Sequence, residues 1–199
     1  FQGGDKEVYN MSTDIFVVDT PFLIEKLEEE AAKEEPRKLR YVLRDLAVAE
    51  NAFAYEYTGY LSNIHSVKAY FDANLDMLES HKFYKLFAPN QKVYTKVKNE
   101  EPTYYSDSSE VKLSQFASGS IVRGKVENSV ISRNVDLSEG SSVSHSILFP
   151  RVKVAKGATV EYAIVDKGVE IAEGVTIRGT ENNPVVIKKG SVVTEDIVR

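Results

Sequence analysis

The segment richest in groups suited to phosphate chemistry is Gly119-Ser120-Ile121-Val122-Arg123-Gly124-Lys125. Its two glycines and terminal lysine resemble a loop that wraps backbone N–H groups around a phosphate. That chemistry requires Ser or Thr directly after the lysine to hold magnesium, and a helix must follow. Val126 occupies that position, and no helical pattern follows it. The spacing therefore argues against a phosphate-binding loop.

The other reactive side chains are scattered. The histidines are His65, His81 and His145, and no serine–histidine–acid arrangement follows from their spacing. The densest carboxylate run, Glu28-Glu29-Glu30, is typical of a solvated helix face. The sequence thus predicts no catalytic group and no metal ligand set from spacing alone.

Composition excludes further chemistry. The 199 residues contain no cysteine, which removes disulfides, thiolate metal sites and cysteine nucleophiles and favours a reducing, cytoplasmic location. A net charge of −5 gives no electrostatic reason to expect nucleic acid or an anionic membrane as a partner. No apolar run approaches the roughly 20 residues of a membrane span.

The two halves of the chain differ in composition. Residues 1–100 hold 15 of the 20 aromatic residues, whereas residues 101–199 hold five aromatics and 25 Val and Ile. Two architectures are therefore expected within one chain.

The first half alternates between strand-like and helix-like patterns. Short β-branched or alternating runs predict strands, and apolar residues at i, i+3, i+4 and i+7 predict helices. Thr20-Pro21 is expected to start the first helix and Pro36 to end it. The predicted order is strand 14–19, helix 20–35, helix 38–49, strand 52–57 and helix 66–78. These elements are too few to close a sandwiched sheet, so we expect an incomplete α/β domain with exposed apolar surface over residues 1–88.

The first three residues, Phe1-Gln2-Gly3, resemble a purification-tag remnant.

The second half contains an internal repeat. Segments 126–142, 143–159 and 160–176 align without gaps, and glycines recur at 17-residue intervals at Gly140, Gly157 and Gly174. Apolar residues five or six positions apart indicate a strand ribbon that turns a corner every hexad, with one branched side chain pointing inward at each corner. A β-sandwich with fortuitous spacing is disfavoured. We expect a parallel β-helix of about four to five coils over residues 111–199, preceded by a linker over 89–110.

Four segments resemble bacterial glucose-1-phosphate adenylyltransferases. They are residues 60–78 (YLSNIHSVKAYFDANLDML), the linker stretches Val93–Lys96 and Pro102–Tyr105, and the coils from Val126. The resemblance covers nearly the whole chain. It implies the C-terminal part of an α/β nucleotidyltransferase domain followed by a left-handed parallel β-helix.

The departures from that family fall on its metal site. Leu61, Ser62 and Asn63 stand where the family has Trp-Arg-Asp, and His65 replaces its glycine. The family's aspartate helps to hold magnesium, and asparagine lacks the full negative charge that this hard cation favours. Four changes within a short segment make the chain similar to the family's non-catalytic companion subunits, so these positions are expected to be degenerate and not catalytic.

A second motif that resembles relatives of this family concerns regulation. Ile164-Val165-Asp166-Lys167 resembles a motif of plant and cyanobacterial relatives whose lysine receives a phosphorylated activator. The resemblance makes Lys167, with Asp166, an effector-binding candidate. The plain alternative is an exposed turn lysine.

Taken together, the resemblance favours a regulatory-type subunit that needs a catalytic adenylyltransferase subunit and self-associates through its β-helix. The complete complex would use Mg²⁺ to join ATP and glucose 1-phosphate, whereas this segment needs no cofactor. The main alternative is a sugar-phosphate nucleotidyltransferase that is active at full length. A more remote one is a β-helix acyltransferase, for which His145 is the only candidate base.

Overall fold

The computed structural model describes residues 12–49, 52–88 and 92–199, so the predicted tag remnant lies outside the described residues. Contacts divide the chain into two compact units, residues 1–57 and residues 58–199. The predicted division into 1–88, 89–110 and 111–199 stays a prediction.

The described part of the first unit contains two helices, α1 (Thr20–Ala31) and α2 (Leu39–Ala49). The Asp19 carboxylate caps α1 by accepting the Phe22 backbone N–H at 3.1 Å. The cap is therefore Asp19, one residue before the predicted Thr20, while Pro21 lies in the first turn as expected. The second predicted helix is confirmed.

The two strands predicted for this unit are absent from its described residues. Segments 14–19 and 52–57 are irregular, and Val17 and Phe53 are almost fully exposed. The prediction was wrong because a strand forms only when a neighbouring strand satisfies its backbone groups, and none is described here. Exposed apolar side chains are the expected consequence.

The predicted solvated carboxylate face also needs correction. Glu30 is buried, and Arg37 donates to it from Nε at 2.9 Å, from Nη2 at 3.0 Å and from its backbone N–H at 3.0 Å. Arg37 also bonds Asp45 on α2 at 2.6 Å. These contacts hold the pKa of the Glu30 carboxyl far below its usual range, and Lys33 adds to the effect. Arg37, whose side chain is 44% exposed, thus joins the buried Glu30 of α1 to Asp45 of α2.

The second unit begins with a short helical segment. Helix α3 (Val67–Leu75) continues as a 3₁₀ turn (Asp76–Leu78), and α4 (Ser80–Leu86) follows. The Ser66 hydroxyl caps α3 by accepting the Ala69 N–H at 3.1 Å. The predicted helix over 66–78 is confirmed, whereas α4 was not predicted.

A parallel β-solenoid fills residues 104–198 and has three sheets, termed A, B and C. Sheet A consists of β1 (Tyr104–Tyr105), β4 (Ile121–Val122), β7 (Asp136–Leu137), β10 (Lys153–Val154), β13 (Glu170–Ile171) and β16 (Val192–Val193). Sheet B consists of β2 (Glu110–Lys112), β5 (Lys125–Glu127), β8 (Ser142–Ser144), β11 (Thr159–Glu161), β14 (Thr176–Arg178) and β17 (Ile197–Val198). Sheet C consists of β3 (Gln115–Phe116), β6 (Val130–Ile131), β9 (Ile147–Leu148), β12 (Ala163–Val165) and β15 (Val185–Ile187). The predicted parallel β-helix is confirmed, and its first strand lies within the segment predicted as a linker.

Strand register confirms the 17-residue repeat. Val143 pairs with Val126 on one side and with Val160 on the other. One coil near the start is two residues shorter, so that Val111 pairs with Val126. The last coils are longer because the polar loop from Arg178 to Pro184 interrupts the pattern.

The solenoid interior is a column of branched side chains, including Leu148, Val152 and Leu137, that are all but inaccessible to solvent. Not every repeated apolar position points inward. Residues adjacent in a strand face opposite sides, so the neighbour of Leu148, Ile147, lies on the outer face of sheet C. There Ile147 and Ile164 pack with Phe71 of α3 in a second apolar cluster. The outer face of sheet C therefore holds the helical segment.

Candidate functional site

A cleft within the second unit lies between the α3–α4 segment and one corner of the solenoid. The corner, between sheets B and C, carries Leu113, Asn128, His145 and Tyr162 on successive coils. All four have positive φ, from 44° to 47°, a conformation that non-glycine residues adopt rarely and asparagine most readily. The cavity has a volume of about 880 Å³, and these four residues line one side of it.

His145 and Tyr162 form the centre of this corner. Their rings are stacked with centroids 4.7 Å apart and planes 20° apart. His145 Nδ1 is buried and has no hydrogen-bond partner among the described residues. The structure places His145 at a coil edge, between β8 and β9. The sequence did not predict the cleft, because the opposite wall comes from α3 and α4, far away in the sequence.

The helical wall carries most of the charge. Lys68 Nζ bonds the Asp72 carboxylate at 2.6 Å, and Lys82 Nζ bonds Asp76 at 2.6 Å and Glu79 at 2.8 Å. The two carboxylates raise the pKa of Lys82, with Asp76 contributing most. The cleft thus has an acidic rim above an apolar floor that includes Phe71.

The positions that were predicted to be degenerate lie elsewhere in the same unit. Leu61, Ser62, Asn63 and His65 are all exposed, in the irregular segment that precedes α3. The Asn63 backbone carbonyl accepts the His65 backbone N–H at 3.1 Å and lies 3.0 Å from His65 Nδ1. The structure therefore keeps these residues together but does not assign them a role.

The Asp76 carboxylate, which is joined to this segment through Tyr60, already has two hydrogen-bond partners. Tyr60 donates its hydroxyl to Asp76 at 3.0 Å, and Lys82 pairs with the same carboxylate. Burial raises the pKa of Tyr60, and the bond to Asp76 adds to that rise. Within residues 12–49, 52–88 and 92–199 no cluster of three or more His, Cys, Asp or Glu side chains could hold a metal ion. The described residues around Asn63 do not by themselves fit a magnesium site.

Lys167 and Asp166 lie at a different corner, between sheets C and A. The Asp166 carboxylate accepts the Lys167 backbone N–H at 2.7 Å, and the Lys167 side chain is exposed. Arg151 and Lys189 occupy the same corner on the coils before and after. In the described structure none of these three cations has a carboxylate partner, whereas Lys112, Lys153 and Arg178 on the strands are each paired across coils. The corner is a cationic stripe on a rigid edge.

The glycine-rich segment 119–125 belongs to the solenoid. It contains β4 and runs into β5, and no helix follows it. The argument against a phosphate-binding loop is confirmed. None of the described helices combines the length and the apolar character needed to cross a bilayer.

The three parallel sheets and the 17-residue register define a hexapeptide-repeat β-solenoid protein. Residues 99–198 match the family described as GlmU-like, C-terminal hexapeptide, and the chain belongs to that family. More particularly, it is similar to proteins named glycogen biosynthesis protein GlgD. It is 40% identical over 141 residues to the one from Bacillus subtilis and 53% identical over 127 residues to the one from Geobacillus stearothermophilus.

The chain is also similar to glucose-1-phosphate adenylyltransferases. It is 34% identical over 91 residues to the one from Geobacillus stearothermophilus, an alignment of 46% of this chain and 24% of the relative. The two GlgD alignments take in 71% and 64% of this chain, but only 41% and 37% of the relatives. The chain thus spans about two fifths of the length of those relatives.

Proposed function

We propose that the protein carrying this chain is a regulatory-type subunit of glucose-1-phosphate adenylyltransferase in glycogen biosynthesis. The proposal rests on comparing the chain with two proteins of one organism. The chain is 53% identical to GlgD of Geobacillus stearothermophilus but 34% identical to the adenylyltransferase of the same species. Exposed, degenerate residues at Leu61, Ser62 and Asn63 support the same reading.

The proposed complex joins ATP and glucose 1-phosphate to give ADP-glucose and pyrophosphate. The Mg²⁺ that such a transfer would require is assigned to the catalytic partner, because Asn63 offers an amide in place of a carboxylate. The solenoid provides contacts for self-association and for the catalytic subunit. We place the complex in the cytoplasm.

The test is an assay of pyrophosphate release with the full-length protein alone, with a catalytic adenylyltransferase subunit alone, and with both together. We expect no turnover from the first, and altered activity or effector response when the two are mixed. Robust turnover by the full-length protein without a partner would overturn the regulatory assignment in favour of the catalytic alternative. The matched control is the Asn63→Asp variant, which restores the aspartate that the family has at this position.

Effector binding is proposed at the cationic stripe formed by Arg151, Lys167 and Lys189. An ammonium on a rigid coil edge is a suitable partner for a phosphate group. Lys167→Ala should weaken the effector response of the mixed complex, while Lys156→Ala, at another corner, should leave it unchanged. An unaltered response in Lys167→Ala would remove the effector role.

A further inference from the structure

The cleft between α3–α4 and the B–C corner contains polar groups that the protein itself does not use. Asn128, Tyr162 and Glu181 all line the cavity. None of them makes a side-chain hydrogen bond within the part of the chain that the structure describes. His145 lines the same cavity, and its buried Nδ1 has no hydrogen-bond partner among the described residues. Polar side chains that line a cavity and have no protein partner are available to bond a ligand.

The charges around the cleft decide what kind of ligand fits. Four carboxylates, those of Asp72, Asp76, Glu79 and Glu181, line it. They are opposed by Lys68 and by Lys82, which pairs with two of them. The excess negative charge repels phosphorylated ligands, and in the described residues no metal-binding cluster offsets it.

The shape and polarity of the cavity restrict the class of ligand further. The cavity of about 880 Å³ has an apolar floor at Phe71 and Leu75, and an aromatic pair at its corner. An aromatic surface beside amide, hydroxyl and carboxylate groups matches a neutral ring that presents C–H groups on one face and hydroxyls around its edge. Carboxylate and amide groups hydrogen-bond such hydroxyls without requiring a charge on the ligand.

We infer that this cleft binds a neutral sugar, a hexopyranose or a short oligomer of it, against the His145–Tyr162 pair. Asn128 and Glu181 bond its hydroxyl groups, and the acidic rim excludes sugar phosphates. The inference is independent of the proposed function, because it rests on the cleft of the second unit alone. The cationic stripe at Lys167 lies at another corner and takes the opposite kind of ligand.

The experiment titrates the 199-residue chain with maltotriose, and separately with glucose 1-phosphate, by saturation-transfer NMR. The ring nitrogen signals of ¹⁵N-labelled histidine are followed in the same samples. We expect saturable maltotriose binding in roughly the millimolar range, with a shift of the His145 signals, and no saturable binding of the phosphate.

Two variants preserve the unusual backbone while removing ligand contacts. Tyr162→Asn deletes the ring and Asn128→Gly deletes the amide, and both new residues tolerate positive φ. Each should weaken maltotriose binding about tenfold, as expected when an anchoring side chain is lost. Arg151→Asn is the matched control, since Arg151 also has positive φ (64°) but lies at a different corner.

Three results would overturn the inference. They are no maltotriose binding by the folded chain, stronger binding of glucose 1-phosphate than of maltotriose, or binding that Asn128→Gly and Arg151→Asn weaken equally. Circular dichroism establishes that each variant is folded. If Tyr162→Asn does not fold, Asn128→Gly and the His145 signals decide the outcome.

Discussion

The hydroxyl oxygen of Ser129 accepts the backbone N–H of Ser146 at 3.1 Å, across the gap between two successive coils. The Ser146 hydroxyl makes the same bond to the Ala163 N–H one coil later, again at 3.1 Å. Each serine also donates to the carbonyl two residues before it, at 2.7 Å. Both side chains are buried, so a ladder of hydroxyls satisfies backbone groups at the corner between sheets B and C.

The ladder predicts a specific loss of stability. Ser146→Ala leaves the Ala163 N–H without an acceptor inside the solenoid, which should lower the free energy of unfolding by about 1–3 kcal/mol. The measurement is chemical denaturation followed by circular dichroism. Ser142→Ala, at a half-exposed position of β8, is the control and should change stability by less than about 0.5 kcal/mol. Equal effects for the two variants would contradict the role given to the hydroxyl.

A second prediction concerns the solenoid interior. Leu148 is fully buried in the core, so Leu148→Ala should lower the free energy of unfolding by about 2–5 kcal/mol through lost burial and a residual cavity. Val192→Ala removes a side chain that is 68% exposed and should be nearly neutral. Denaturation midpoints of the two variants check this. A neutral Leu148→Ala would mean that the side chain does not lie in a packed core.

The third prediction separates backbone conformation from crowding at a repeated glycine. Gly174 has a φ of 71°, and a Cβ placed there would meet no atom within 4 Å. The constraint at this position is therefore the dihedral angle and not crowding around a Cβ. Gly174→Ala should therefore cost about 1–2 kcal/mol. Gly174→Asn should cost less, because asparagine tolerates this region better. Thermal unfolding of the two variants tests which one loses more stability. If crowding around the side chain were the constraint, the larger asparagine would cost more than alanine.

The fourth prediction is a pH dependence of the first unit. Arg37 and Lys33 lower the pKa of Glu30 in the folded state, so the folded chain stabilises the carboxylate. That stabilisation is fully present above the ordinary glutamate pKa of about 4.3 and is lost as the pH falls towards the lower folded value. Amide hydrogen exchange in α1 and α2 should therefore accelerate as the pH drops below about 4, beyond the intrinsic change in exchange rate.

Two variants isolate the Glu30 carboxylate in that experiment. Glu30→Gln should exchange faster than the parent at neutral pH and should lose the acid-induced loosening. Glu28→Gln, on the exposed face of α1, should keep the parent's profile. Retention of the pH dependence in Glu30→Gln would show that another group is responsible.

Sequence pattern predicted some features of the fold, whereas others depended on tertiary packing. The 17-residue period predicted the strand register, since a solenoid stacks identical positions directly above one another. The helices over 39–49 and 67–75 followed from apolar spacing. The strands expected at 14–19 and 52–57 did not form in the described structure, because a strand depends on a partner that local sequence cannot supply. The burial of Glu30 was also missed, since its partner Arg37 lies beyond the end of the helix.

By itself the sequence determined the repeat, the parallel coils and the resemblance to glucose-1-phosphate adenylyltransferases, because all three depend on residue types at fixed intervals. Only the tertiary structure decided which of two adjacent apolar residues faces inward, as with Leu148 and Ile147. It also decided that α3 covers the outer face of sheet C, and that His145 and Tyr162 line a cleft with residues far away along the chain. The reason is physical: periodicity encodes contacts between successive coils, whereas a cleft arises from the packing of non-repeating elements against them.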